Sequence, residues 1–385
     1  MIDDNSRQRA ADIWTKYQLP CPAWNYACNS LLSSVTALWP QAPNVLLREH
    51  YRCHPKIAGF LNRKFYDDQL IIMTADRGET EVMQVVFTVP GNHARGRMNQ
   101  RQVDVICQEI LPELRQKGVT DIGIIAPYRG QVATLKSVLD NGVEVATVHG
   151  FQGGEKQAII MSTVDNEIGE FVDDNKLLNV AVSRAQCTFT VVLADGQDNF
   201  TTNFGDLVRY IRYRQQSVLH SQVRSVFDLL YAGYEDARRE FLNRQGRSSA
   251  WDSENLAEVA VKDVLSSPEF ASMSLGCLRH VPLSWLVGET SGLLERERQF
   301  VTNPWSHVDL LIYDTIGKLP LVGVEVDGWA FHRHGSLQSV RDEIKNNVFY
   351  HASLPLVRLS TTGSGESAII SNALRKAVGL ASSSY

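Results

Sequence analysis

The 385-residue chain carries a net charge of −5, with 44% hydrophobic and 21% charged residues. That balance excludes a uniformly basic, histone-like binder, and the length gives room for two domains, each with its own core. Nucleic acid stays open as a partner, because a local groove of Lys and Arg is what meets phosphate.

Residues 1–44 mix turn formers with one short helical pattern and read as the remnant of a preceding domain. From Val45 onward, strands and helices alternate. Residues 44–51, 83–90, 121–127, 143–150, 157–164 and 189–194 are short, β-branched and bounded by turn formers, so strands are expected there. Helical patterns lie between them at residues 99–117 and 130–139. This alternation predicts a mainly parallel sheet covered on both faces over residues 45–202. Residues 203–248 are helical in pattern and rich in arginine, and read as a solvated connector. A basic strip beside a nucleic-acid path is the sharper alternative.

A second unit is expected over residues 249–385. Ser253 is a plausible N-cap for a helix reaching Leu265. Residues 307–314 and 320–328 read as adjacent strands, residues 339–352 as a helix and residues 355–360 as a further strand. No apolar run reaches the length of a membrane span, and the polar N-terminus is unlike a secretory signal. The six cysteines form no C-x-x-C pair, which gives no case for zinc or an iron–sulfur cluster. A cytoplasmic, reducing compartment is expected.

Three segments carry the chemistry of the first unit: LLREHYRCHP at residues 46–55, TVHGFQGGEK at 147–156 and LLNVAVSRA at 177–185. Singly, each reads as a turn, a Gly-rich hairpin or a capped helix start. Together, in this order, they resemble the second RecA-like motor domain of superfamily 1 helicases, closest to the nonsense-decay and replication-associated branch. The resemblance covers residues 45–194. It implies ATP as a cofactor, with Arg184 and Arg52 as arginine fingers that offset the charge developing on the γ-phosphate. It places Gln152, Gly153 and Glu155 at the nucleotide. Thr147, His149, Tyr128 and Arg129 would face nucleic acid, DNA more than RNA, with Tyr128 stacking and Arg129 on phosphate. No G-x-x-x-x-G-K-[ST] phosphate loop occurs in the chain. An upstream helicase domain, in cis or in trans, is therefore the expected partner.

Near the C-terminus, Asp309 lies in one expected strand and Glu325 and Asp327 share one face of the next. Converging carboxylates repel unless a cation sits among them, and Mg2+ takes such oxygen ligands. The EVDGWAFHRH text resembles the PD-(D/E)xK nucleases of the very-short-patch-repair-like branch. The fold class implied is α/β, a RecA-like parallel-sheet domain followed by a smaller restriction-endonuclease-like domain. The resemblance makes Asp309, Glu325 and Asp327 metal ligands and Glu254, or Glu258 one turn later, the acid of the first helix. The usual lysine two residues after the second acid is replaced by Asp327. Lys345 on the following helix is the expected substitute, with His332 and Arg341 as further candidates. The function implied is part of an ATP-dependent helicase joined to a metal-dependent nuclease in repair or defence. A non-catalytic module that binds nucleic acid or a partner through a degenerate nuclease fold is the alternative.

Overall fold

The computed structural model describes residues 4–18, 20–45, 47–91, 93–95, 97–151, 154–198, 201–230, 235–246, 249–288, 292–328 and 337–379. The chain divides into two compact units, residues 1–49 and 50–385. The first contains α1 (Asp4–Tyr17) and α2 (Leu31–Leu38). Ser30 caps α2 by accepting the Ser33 amide, yet no residue of this apolar helix is buried. A two-residue strand, β1 (Glu49–His50), follows.

The larger unit continues with α3 (Pro55–Phe65), β2 (Ile71–Ile72), β3 (Met83–Phe87), β4 (Ala94–Arg95) and β5 (Met98–Asn99). One continuous helical stretch comes next: α4 (Gln100–Val105), a π turn at Ile106–Ile110 and α5 (Leu111–Gln116). Then come β6 (Ile122–Ala126), α6 (Arg129–Val138), β7 (Val143–Thr147), β8 (Lys156–Ser162) and α7 (Asn175–Val182). The set ends with β9 (Ala185–Leu193), α8 (Asn203–Tyr213) and β10 (Ser217–His220). Six parallel strands form one sheet in the order β10-β3-β9-β8-β6-β7. Alternation sends Ile125, Ile159 and Val191 to one face, packed with α3, α7 and α8. Ile124, Ile160 and Val192 go to the other, with α4, α5 and α6. Both faces are covered, which is why these strands are apolar throughout.

Two expectations are corrected here. The region read as a helical connector contributes to the sheet: α8 buries Phe204, Leu207, Val208 and Ile211, and β10 pairs with β3. Its four residues carry too little alternation to stand out as a strand. Residues 44–51 reduce to β1, because Val45 and Leu47 are exposed rather than packed in a sheet.

The C-terminal half begins with a 3-10 turn at Val226–Leu230 and α9 (Glu235–Gln245). Next are α10 (Asp252–Leu265), β11 (Leu275–Pro282), α11 (Leu283–Leu286), α12 (Glu295–Thr302) and β12 (His307–Asp314). After them come β13 (Pro320–Asp327), α13 (Leu337–His351), β14 (Leu356–Ser360) and α14 (Glu366–Ala377). Its four-stranded sheet runs β11-β12-β13-β14, antiparallel except for the β13–β14 pair, which α13 connects. Leu256, Val261, Ile370 and Leu374 of α10 and α14 pack on Leu310, Ile312, Val322 and Val324. Val348 and Phe349 of α13 pack with Val308 and Leu311 on the other side. Gly323 is required there, since a Cβ would collide with the Phe349 ring. Ser253 is not the cap of α10: Trp251 holds that position and Ser253 lies in the first turn.

The two sheets are joined through Arg101, which is fully buried. Its Nη2 donates to Asp228 Oδ1 at 2.8 Å and to Gly363 O at 3.2 Å, while Nη1 donates to Asp104 Oδ2 at 3.2 Å. Ser225 Oγ donates to Glu366 Oε1 at 2.5 Å nearby. Among the described residues, no helix is long and apolar enough to cross a membrane.

Candidate functional site

Backbone hydrogen bonds bring three distant segments to one end of the parallel sheet. His54 N donates to Gln186 O at 2.7 Å, tying the loop before α3 to the start of β9. Lys156 N donates to Arg184 O at 3.1 Å, tying the start of β8 to the α7–β9 junction. Asp174 caps α7 by accepting the Lys176 and Leu177 amides, which fixes where the helix ends and where Arg184 emerges. Arg52, Glu155 and Arg184 are thereby brought together. Arg52 Nε is 2.5 Å from Glu155 Oε1, and its Nη1 donates to Ser183 O at 3.4 Å. Arg184 donates from Nη1 to Gly154 O at 3.3 Å and from Nε to Val180 O at 3.2 Å. Gln186, which the sequence did not single out, holds the other oxygen of Glu155 at 3.3 Å.

Burial, then the neighbouring Arg52, push the Arg184 guanidinium below its ordinary value. Two cations and one carboxylate share this half-buried place, an arrangement that favours an incoming anion. Burial also pushes the neighbouring Cys53 thiol up to about 12, so it is an inert packing group. Gln152 and Gly153 lie outside the described residues, as does His332.

Thr147 ends β7 and its Oγ1 accepts the Gly150 amide at 3.3 Å; His149 beside it is exposed. Arg129 is exposed in the first turn of α6. Tyr128 differs from the expected free platform. Its hydroxyl donates to Asp165 Oδ2 at 2.8 Å, and its ring stacks on Phe171 at 5.5 Å with Arg97 5.7 Å away. The fold already uses this ring for packing.

The second cluster lines a cavity of about 360 Å³ in the C-terminal sheet, bounded by Glu254, Asp309, Glu325, Asp327 and Lys345. Alternation on β13 directs Glu325 and Asp327 to the cavity, while Val324 faces the core. Asp309 Oδ2 accepts the Val326 amide at 2.9 Å, and Glu325 Oε1 accepts the Asp309 amide at 3.3 Å. Lys345 reaches in from α13, donating to Glu325 Oε2 at 2.7 Å and to His307 O at 2.9 Å. Burial pushes the Glu325 carboxyl up to about 7, and the adjacent Asp309 adds to the rise against Lys345. Asp309 is also raised, by burial first.

Glu254 lines the cavity and accepts from Ser249 Oγ at 2.5 Å, whereas Glu258 is bound away to Arg279 and Lys262. Between these two, the structure brings Glu254 to the cluster. Asp327 pairs with Arg358 of β14 at 3.1 Å, so its carboxylate already has a cation. Arg358 was missed in the sequence, although a lone arginine in an apolar strand was the available signal.

A third group, His54, Asp76 and Glu79, lies closely enough to suggest a metal. His54 Nδ1 accepts the Lys56 amide at 3.2 Å as the cap of α3, and its Nε2 lies 3.2 Å from Glu79 and 3.7 Å from Asp76.

Residues 28–195 match the family described as an AAA domain. Residues 256–377 match a family described as protein of unknown function (DUF2726). The 5'-3' DNA helicase ZGRF1 of Mus musculus is 28% identical over 210 residues, covering 49% of this chain and 11% of that protein. The uncharacterized ATP-dependent helicase C05C10.2 of Caenorhabditis elegans is 31% identical over 176 residues, covering 40% and 12%. The DNA-binding protein SMUBP-2 of Mus musculus is 30% identical over 204 residues, covering 49% and 19%. This chain thus spans less than a fifth of the length of each of these relatives. The motif-bearing part, residues 28–195, is a superfamily 1 helicase region.

Proposed function

We propose that the chain is the second motor domain of an ATP-dependent superfamily 1 DNA helicase joined to a metal-dependent nuclease domain. For the motor half, Arg52 and Arg184 are the groups that meet the γ-phosphate of ATP. Glu155 and Gln186 hold Arg52 in place until the triphosphate arrives. Arginine suits both positions because its planar fork stays charged and binds two oxygens. The lysine phosphate loop comes from a first motor domain, in cis or in trans, and the residues present here give no useful ATP turnover alone. Thr147, His149 and Arg129 contact the DNA track. The named relatives, a DNA helicase and a DNA-binding protein, support DNA over RNA.

The nuclease reading rests on one observation. Two carboxylates of adjacent strands, the half-buried Asp309 and the buried Glu325, meet a helix-borne ammonium, Lys345, inside one cavity. Burying such acids together is costly unless a cation compensates them. Lys345 does so here, and it stands in for the lysine replaced by Asp327. The donor set is all oxygen, which fits Mg2+. Asp309 and Glu325 would hold the ion with Glu254 beside them, and Asp327 is paired with Arg358. A bound Mg2+ would supply Lewis acidity and an activated water to a phosphodiester. Lys345, held by His307 O, offsets the negative charge that develops on the phosphate, and Arg341 one turn earlier offers a second cation. The helix–three strands–helix–strand order supports this reading and sets both strand acids under α13.

The test is nicking or cutting of DNA by the purified chain with Mg2+ or Mn2+. Cleavage lost in Asp309→Ala and Glu325→Ala, with unchanged circular dichroism, supports the enzyme. Tight binding with no cleavage by the unaltered chain instead supports the non-catalytic module.

A further inference from the structure

The carboxylate cavity continues into a second one of about 240 Å³, lined by Phe300, Trp305, His307 and Arg341. Asp342 and Lys345 line both, so the two cavities adjoin and are treated as one groove. Each cavity has a tryptophan in its lining. Trp251 lines the first cavity and is 69% exposed; Trp305 lines the second and is 86% exposed. What sets these two indoles apart from the exposed Trp285 is that they line the cavities that hold the carboxylates and Lys345.

Both indoles rest on backbones tied to the acidic centre. Trp251 N donates to Ser249 Oγ at 3.1 Å, and that hydroxyl donates to Glu254. Trp305 O accepts from His307 Nδ1 at 3.0 Å, and His307 O holds Lys345. Each ring is thus fixed at its root and bare at its face.

We propose that this groove takes a single strand of nucleic acid, with unstacked bases on Trp251 and Trp305 and the backbone between them beside Lys345 and Arg341. The inference rests on the nuclease reading for the fate of that strand, but not for its binding. The charges supply little affinity for either form. Glu254, Asp309, Glu325, Asp327 and Asp342 outnumber the cations of the groove, so it lacks the rows of Lys and Arg that track a duplex backbone. Affinity must come from stacking, and in a duplex the π-faces are covered by neighbouring base pairs. A motor that separates strands produces this substrate.

The test is tryptophan emission of the full chain in EDTA, titrated with an oligothymidylate, a blunt duplex of equal length and the matching RNA. The oligothymidylate should quench and bind at least about tenfold more tightly than the duplex. Trp251→Ala and Trp305→Ala should each weaken binding about tenfold, and Trp285→Ala, which is exposed outside both cavities, should leave it unchanged. If an alanine variant misfolds, Trp251→Phe and Trp305→Phe keep a smaller ring and should show a partial loss. Equal affinity for the RNA supports the strand proposal and makes it indifferent to the sugar. A duplex bound as tightly, or alanine variants as tight as the unaltered chain, overturns it. Quenching without metal-dependent cleavage leaves this proposal standing and removes the nuclease reading.

Discussion

Arg101 of α4 is fully buried and donates to Asp228 at 2.8 Å, across the boundary between the two sheets. The same guanidinium reaches Gly363 O, in the turn between β14 and α14. One side chain therefore ties a helix of the motor sheet to the C-terminal sheet that carries the carboxylate cavity.

Replacing Arg101 removes the cation and leaves Asp104 and Asp228 facing each other in a dry place. Arg101→Met should destabilise the chain by about 3–5 kcal/mol in urea denaturation, because a buried pair is broken from one side. Arg101→Lys should recover only part of this, since an ammonium cannot serve three acceptors with the same planar fork. A loss under about 1 kcal/mol would mean the junction is held by other contacts.

The same junction is sensitive to acid through His93. Burial pushes its imidazole below the ordinary value; Asp228, 3.6 Å away, opposes this and Arg101 assists it. The folded chain therefore prefers the neutral ring. That contribution is complete above the unfolded value of 6.5 and is lost as pH falls below it. Urea stability should drop between about pH 7 and pH 5, and more steeply than in His93→Gln. Parallel profiles for the two proteins would contradict this.

Tyr128 separates packing from recognition. Burial, with the Asp165 hydrogen bond, pushes its hydroxyl up to about 12, and Phe171 covers the ring. Tyr128→Phe should cost about 1 kcal/mol of stability, and Tyr128→Leu, which also removes the ring, should leave oligonucleotide affinity unchanged. Loss of affinity without loss of stability would restore the stacking role read from the sequence.

The parallel sheet was legible because its strands are apolar, β-branched and separated by periodic helices. Arg52, Glu155 and Arg184 were legible as motifs, though their approach depends on backbone bonds between residues 28 and 132 positions apart. Glu325 and Asp327 followed from alternation. What escaped has one physical cause. Arg358 against Asp327, Arg101 against Asp228, and β10 against β3 are long-range pairings that leave no local pattern. Trp251 and Trp305 escaped because an exposed indole and a buried one look alike in a sequence. The packing of Tyr128 on Phe171 escaped for the same reason.

The most direct measurement is the anomalous signal of Mn2+ in crystals of the chain soaked at neutral pH. A peak should appear about 2.1 Å from carboxylate oxygens of Asp309 and Glu325, with the Lys345 ammonium moved off Glu325, and vanish in Asp309→Asn. An empty cavity with Lys345 still on Glu325, under saturating Mn2+, would contradict a metal-dependent centre and leave this half of the chain a binding module.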